Sequence, residues 1–223
     1  MENNFIELFN VTKIYHQGNN PVVALDGLNL KISKGEFVAV TGKSGCGKST
    51  LINIIGGLDS PDEGQVMIKG EDITQMDDRR LTLFRRDQIG IIFQFFNLLP
   101  ILSLKENIAL PHLLKGNSDR LNENIDRLLH EMDLYERRHH KPHELSGGEM
   151  QRAAICRALI NDPELVLADE PTGNLDSASG RQVLDILRRL KNEKGKTILL
   201  VTHSQEGAAT ADRVLNMKDG KLL

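Results

Sequence analysis

The stretches Phe37-Val38-Ala39-Val40, Leu165-Val166-Leu167-Ala168 and Ile198-Leu199-Leu200-Val201 contain no polar residue. A strand with one wet face alternates apolar and polar side chains, so an unbroken apolar run of strand length needs cover on both faces. Central strands of a parallel sheet with helices on each side meet that need. The segments Phe5 to Val11 and Leu28 to Ile32 alternate instead, as strands wet on one side do, which makes the first third of the chain strand-rich. Ser118 to Asp133 carries Leu121, Ile125, Leu128, Leu129 and Met132 at helical spacing, and Gln182 to Leu190 carries Val183, Ile186, Leu187 and Leu190 likewise. This order predicts an α/β core interrupted by a helical insertion. We bound it as one domain over 5–223, with the core at 5–93 and 162–223 and the insertion at 94–161.

At 223 residues, with 39% hydrophobic and 26% charged side chains, the chain has the composition of a folded domain large enough for a sizeable core. Its formal net charge of −3 supplies no global positive field, so nucleic acid is not an expected partner. No apolar run approaches the roughly 18 residues of a membrane span. The start, Met1-Glu2-Asn3-Asn4, has neither the basic nor the apolar stretch of a secretory signal. Two cysteines, Cys46 and Cys156, are too few for a disulfide framework, and a reducing cytoplasm is the expected compartment.

Three segments carry chemistry. Gly42-Lys43-Ser44-Gly45-Cys46-Gly47-Lys48-Ser49-Thr50 is a G-x-x-x-x-G-K-S loop that follows the first buried run and opens a helix predicted over Thr50 to Leu58. Its glycines let successive backbone N–H groups turn inward around a phosphate. Lys48 suits β- and γ-oxygens, and the Ser49 hydroxyl suits Mg²⁺. The second segment, Leu165 to Pro171, delivers Asp169 and Glu170 at the carboxyl end of a buried strand, where ligands of open α/β sheets bind. Asp169 suits a metal held through water, while Glu170, expected on the opposite side of the strand, suits an attacking water. The third, Leu145-Ser146-Gly147-Gly148-Glu149-Met150-Gln151-Arg152, is another glycine-rich entry to a helix, predicted over Met150 to Ile160, and a second anion site of backbone N–H groups. One nucleotide scarcely needs two such cradles, which hints at closure between two parts or two copies.

In order along the chain, the phosphate loop, Gln94, Leu145 to Glu149, Asp169-Glu170, Asn174-Leu175-Asp176 and His203 resemble an ATP-binding cassette (ABC) ATPase over almost the whole length. The phrases Phe93 to Pro100, Glu106 to Pro111 and Ala168 to Asp176 are similar to the ATPase subunits of lipoprotein-releasing and macrolide-export systems. A cell-division type mechanotransmission ATPase and a non-transport ABC ATPase are the alternatives. The resemblance implies a RecA-like phosphate-loop NTPase core with an N-terminal antiparallel β subdomain and an inserted α-helical subdomain. It implies an ATP hydrolase working as a homodimer that sandwiches two ATP, each held between one subunit's phosphate loop and the other's Ser146, Gly147 and Gly148. It also implies a separate transmembrane permease and a peripheral position on the cytoplasmic face of the inner membrane.

By the same resemblance Tyr15 stacks on adenine, Gln94 senses Mg²⁺ and water, His203 contacts the γ-phosphate, and Asp176 communicates across the dimer. The catalytic set is then Glu170, His203 and Lys48, and the metal set Ser49, Gln94 and Asp169. The apolar stretch Phe95, Phe96, Leu98, Leu99, Pro100, Ile101 and Leu102 is a candidate permease-docking surface. Two residues depart from the family's common pattern. Glu149 stands where glutamine is frequent, and a carboxylate there is expected to turn from the γ-phosphate toward the helix amides. Cys46 stands where serine is frequent, and its thiol is expected to be open to reagents and shielded by nucleotide.

Overall fold

The computed structural model describes residues 4–18, 20–115 and 120–223. A long antiparallel hairpin opens the chain: β1 (Asn4–Gln17) pairs with β2 (Asn20–Ser33), and β1 pairs on its other side with β4 (Glu63–Ile68), which is edged by β5 (Glu71–Asp72). Between the hairpin and β4 lie β3 (Phe37–Thr41) and α1 (Lys48–Ile55). Next come α2 (Asp78–Gln88) and β6 (Ile89–Ile92), followed by α3 (Leu104–Leu113), α4 (Leu121–Glu131) and α5 (Gly147–Leu159). The chain finishes with β7 (Leu165–Asp169), α6 (Ser177–Lys194), β8 (Thr197–Thr202), α7 (Gln205–Ala209), β9 (Arg213–Lys218) and β10 (Lys221–Leu222).

The second sheet has the order β10-β9-β3-β8-β7-β6. Its pairs β9·β3, β3·β8, β8·β7 and β7·β6 are parallel, and β10 closes the edge antiparallel to β9. This sheet explains the unbroken apolar runs. Phe37, Val166, Ala168, Ile198 and Leu200 enter one core, shared with helices α3 to α6, while Val38, Val40, Leu165, Leu167, Leu199 and Val201 enter another, shared with α1 and the antiparallel sheet. Alternate side chains therefore find dry cover on opposite faces.

Several helices start and stop where their capping chemistry dictates. α5 begins at Gly147, three residues before the predicted start, because Ser146 and Glu149 form a reciprocal capping box. α6 extends from Ser177 to Lys194, well beyond the periodic stretch, since Asp176 accepts from the N–H groups of Ala178 and Ser179. α1 starts at Lys48, inside the phosphate loop, and ends at Ile55, short of Leu58. The helix expected from Ser118 is seen as α4 from Leu121; Ser118 and Asp119 lie outside the described residues. Residues 94–161 contain α3, α4 and α5 and, among the described residues, no strand.

Candidate functional site

The phosphate loop runs from the carboxyl end of β3 into α1, beneath a cavity of about 740 Å³. Two glycines make its path possible. At Gly47 φ is 107°, and a Cβ there would lie 2.3 Å from the Ala24 carbonyl oxygen; a Cβ on Gly42 would lie 2.3 Å from that of Met217. The loop is thus wedged against β2 and β9 at contacts that only hydrogen allows. Gly47 caps α1 with no side-chain hydrogen bond, so the first amides of the helix stay open to an anion. Lys48 is buried, with its Nζ donating to the carbonyls of Gly42 at 2.9 Å and Lys43 at 3.2 Å.

Ser44, Gly45, Gly47, Lys48, Ser49 and Thr50 line the cavity together with Tyr15, Gln94, Glu170 and His203. Tyr15 and His203, from opposite ends of the chain, thereby meet around one volume. Ser49 Oγ donates to Asp169 Oδ1 at 3.2 Å, joining the loop to the end of β7. Burial, reinforced by the charge of Glu170, raises the Asp169 pKa above the usual carboxylate value against the opposing pull of the Ser49 hydrogen bond and Lys48.

Glu170 reaches the cavity by a route other than strand alternation. β7 ends at Asp169, and Glu170 takes a left-handed φ of 46°, a strained conformation for a non-glycine residue. Its N–H donates to the Val201 carbonyl at 2.9 Å, and its carbonyl accepts from Gly173 N–H at 3.0 Å. Carboxylate oxygen Oε2 accepts the His203 backbone N–H at 3.1 Å and sits 2.8 Å from His203 Nδ1. The other oxygen, Oε1, lies 3.9 Å from Lys48 Nζ. The His203 side chain is 69% exposed.

At the far wall, Tyr15 donates its hydroxyl to Asp59 Oδ2 at 2.8 Å, and Lys13 Nζ donates to Asp59 Oδ1 at 2.9 Å. Tyr15 is 37% exposed, and its neighbours Val22 and Val23 are 45% and 49% exposed. Sequence reading missed Val22, Val23 and Ala24 in this wall and Asp59 behind it. The adjacent valines just after a turn were the available signal, since apolar residues on both faces of a strand end call for a cover.

Of the expected contacts, Gly42, Cys46 and Asp169 are not among the residues lining this cavity, and four more lie away from it. Ser146, Gly147 and Gly148 open α5 elsewhere, with Gly147 against Leu175, Asn174 and Phe96 and Gly148 against Ser179. Asp176 caps α6 and borders a separate cleft that it shares with His203. Glu149 turns back as expected: Oε2 accepts from Ser146 N–H and Oγ, both at 2.8 Å, and Oε1 pairs with Arg137 at 3.2 Å. The Ser146 backbone N–H, ahead of burial and the remaining partners, holds its carboxyl below the usual value. Cys46 departs from expectation, because only 7% of it is exposed and it packs with Val38, Val40, Leu51 and Met217. It contributes backbone to the loop and no thiol to the cavity.

Residues 25–173 match the ABC transporter family. The chain belongs to that family. Within it, the cassette is 47% identical over 219 residues to the macrolide export ATP-binding/permease protein MacB of Hyphomonas neptunium, covering 98% of this chain and 34% of that one. It is 44% identical over 219 residues to the lipoprotein-releasing system ATP-binding protein LolD of Syntrophus aciditrophicus, covering 98% of each. Its fold superposes on the dimeric ATP-binding cassette MJ0796, in a post-hydrolysis state bound to ADP and Pi, with a TM-score of 0.91, 43% identity and 97% and 96% of the two chains covered. The fold is accordingly that of the ABC cassettes, with antiparallel β strands and helices around the phosphate-loop sheet. Among the described residues no helix is long and apolar enough to cross a membrane.

Proposed function

We propose that this protein binds and hydrolyses ATP to drive a separate membrane permease of the lipoprotein-release or macrolide-export kind, working as a homodimer at the cytoplasmic face of the inner membrane. The observation that carries the reading is the convergence of the phosphate loop, Gln94, Glu170 and His203 on one cavity. The relatives named above support the transport role, and the dimeric cassette MJ0796 supports the pairing of two copies. We further propose that the chain divides into a core at 5–93 and 162–223 and a helical insertion at 94–161.

The residues fit a hard divalent cation. Ser49 hydroxyl and Asp169 carboxylate, 3.2 Å apart, are oxygen donors of the class Mg²⁺ prefers, and a carboxyl whose pKa is raised by burial is relieved by a cation beside it. Ser49, Asp169 and Gln94 would hold it. A cation held there would supply positive charge against the phosphate oxygens of the nucleotide.

The chain's own groups do the rest. The open amides of α1 and the Lys48 ammonium stabilise charge on the transferred phosphoryl group. Glu170 holds its Oε2 on the two His203 donors, which leaves Oε1 to accept a proton from water as it attacks phosphorus. The imidazole of His203, fixed on one side by Glu170, offers its remaining nitrogen to the γ-phosphate. Tyr15, anchored through Asp59, presents its ring to the adenine with Val22 and Val23 beside it. Ser146, Gly147, Gly148 and Asp176 lie outside this cavity, so in this reading they serve the partner copy's nucleotide.

Docking of the permease falls to the segment after Gln94. Phe95, Leu99 and Ile101 are 72%, 46% and 77% exposed, whereas Phe96, Leu98 and Leu102 turn partly inward. The test is phosphate release from MgATP with no acceptor present, alone and after reconstitution with a permease of the lipoprotein-release or macrolide-export kind. Absence of turnover in both preparations would refute the proposal.

A further inference from the structure

The backbone that delivers Gln94 is gripped from one helix. Gln151 of α5, fully buried, donates through Nε2 to the Phe93 carbonyl at 3.4 Å. Six residues along the same helix, Arg157 donates through one guanidinium nitrogen to the Phe96 carbonyl at 2.8 Å and through the other to the Asn97 carbonyl. Arg157 is half-buried, burial lowers its pKa, and among the described residues it forms no ion pair with a carboxylate. A cation placed there without a carboxylate is an unusual expense unless the carbonyls it meets matter.

Those carbonyls belong to an improbable turn. Phe96 and Asn97 both have left-handed φ, 56° and 51°, a conformation that asparagine tolerates but that is strained at phenylalanine. The guanidinium fork matches two carbonyls that only this turn brings side by side. On the other side, Asn174 Nδ2 donates to the Gln94 carbonyl at 3.1 Å, and the absence of a side chain at Gly173 leaves room for the Gln94 amide, 2.9 Å from where a Cβ would sit. Gln94 is therefore aimed into the cavity by contacts with its backbone neighbours, most of which issue from α5.

We propose that Arg157 is a positioning residue for ATP hydrolysis. By clasping Phe96 and Asn97 it fixes how far Gln94 reaches toward the phosphates, and it makes α5, whose first turn is Ser146 to Glu149, one mechanical piece with Gln94. In a dimer this piece connects the edge offered to the partner's nucleotide with the glutamine offered to the chain's own. The inference rests on the ATPase reading given above.

The test is a two-residue cycle in the full-length protein: wild type, Arg157→Ala, Gln94→Ala and the double variant, with Arg157→Lys as a milder probe that reaches only one carbonyl at a time. For each, kcat and KM for MgATP, nucleotide affinity in the absence of turnover, and Tm are measured. The expected result is a fall in kcat of about 10- to 100-fold in Arg157→Ala, KM within about twofold of wild type, and an intermediate kcat in Arg157→Lys. In the Gln94→Ala background the Arg157 substitution costs nothing more, because it acts through the missing amide. Multiplicative losses in the double variant, unchanged kcat in both Arg157 variants, or a Gln94→Ala variant as active as wild type would each overturn the proposal. If Arg157→Ala does not fold, Arg157→Lys with and without Gln94→Ala decides by the same criterion. A wild type without ATPase activity would instead sink the reading on which the inference stands.

Discussion

His203 holds Glu170 twice, once through its backbone N–H at 3.1 Å and once through Nδ1 at 2.8 Å, and both donors fall on the same carboxylate oxygen. The free oxygen is the one facing Lys48. Replacing Glu170 by Gln keeps the shape and removes the proposed base, so turnover should fall by about 10² to 10⁴ while ATP still binds. Single-turnover hydrolysis alongside equilibrium binding of ATP checks this, and near-normal turnover would remove Glu170 from its role.

Asp169 carries its charge at a thermodynamic cost, since burial raises its pKa. A raised carboxyl pKa destabilises the fold at neutral pH and does so less as pH falls and the group protonates. Asp169→Asn should therefore raise the Tm of the nucleotide-free protein by about 1–4 °C at pH 7, with the gain shrinking in acid. The same variant should lose the Mg²⁺-dependent part of ATP affinity. Calorimetry across pH and titration with and without Mg²⁺ test both halves, and a lower Tm at pH 7 would contradict the first.

Glu164 behaves in the opposite sense. Hydrogen bonds and ion pairs with Lys34 and Lys69 lower its pKa to about 2 from a model-compound value of 4.5. Its contribution is fully present above pH 4.5 and is lost as pH falls toward about 2. Glu164→Gln should flatten the fall of stability in that window and leave ATP turnover untouched. Urea melts at pH 3 and pH 7 measure it; an equal stability loss at both would count against the linkage.

Glu149 and Arg137 form a partly exposed pair beside Ser146, so its loss should cost no more than about 1 kcal/mol. Glu149→Gln keeps the capping box and removes a negative charge from the edge we assign to the partner's ATP. ATP-dependent dimerisation, read by sedimentation in a Glu170→Gln background, should tighten several-fold. Weaker association in the variant would mean that the carboxylate assists closure.

Neither thiol should react in the folded protein. Cys46 is 7% exposed and Cys156 is wholly buried, with burial pushing its thiol up to about 12. Titration with a chromogenic disulfide should find no fast-reacting thiol in native protein and two after denaturation. Rapid modification of Cys46 without nucleotide would show that the loop opens away from Met217.

The unbroken runs 37–40, 165–168 and 198–201 made the central sheet legible, because a parallel strand buried on both faces leaves no polar position in the sequence. The glycine loop was legible for a related reason: its path is a property of backbone, and only glycines at Gly42 and Gly47 permit it. Helix limits were read less well. Periodicity marks the buried stripe of α5 and α6, whereas their true starts depend on the caps at Ser146 and Asp176.

The sequence by itself singled out the residues we assign to phosphate, acid and base chemistry, since each sits at a chain position defined by its immediate neighbours. Only the tertiary structure decided where they point. Glu170 faces the cavity through a left-handed turn held by Val201 and His203, Cys46 turns into the core, and the Arg157 guanidinium finds two carbonyls 60 and 61 positions away. These outcomes depend on non-local contacts whose partners are fixed by packing, and no local pattern of side chains encodes them.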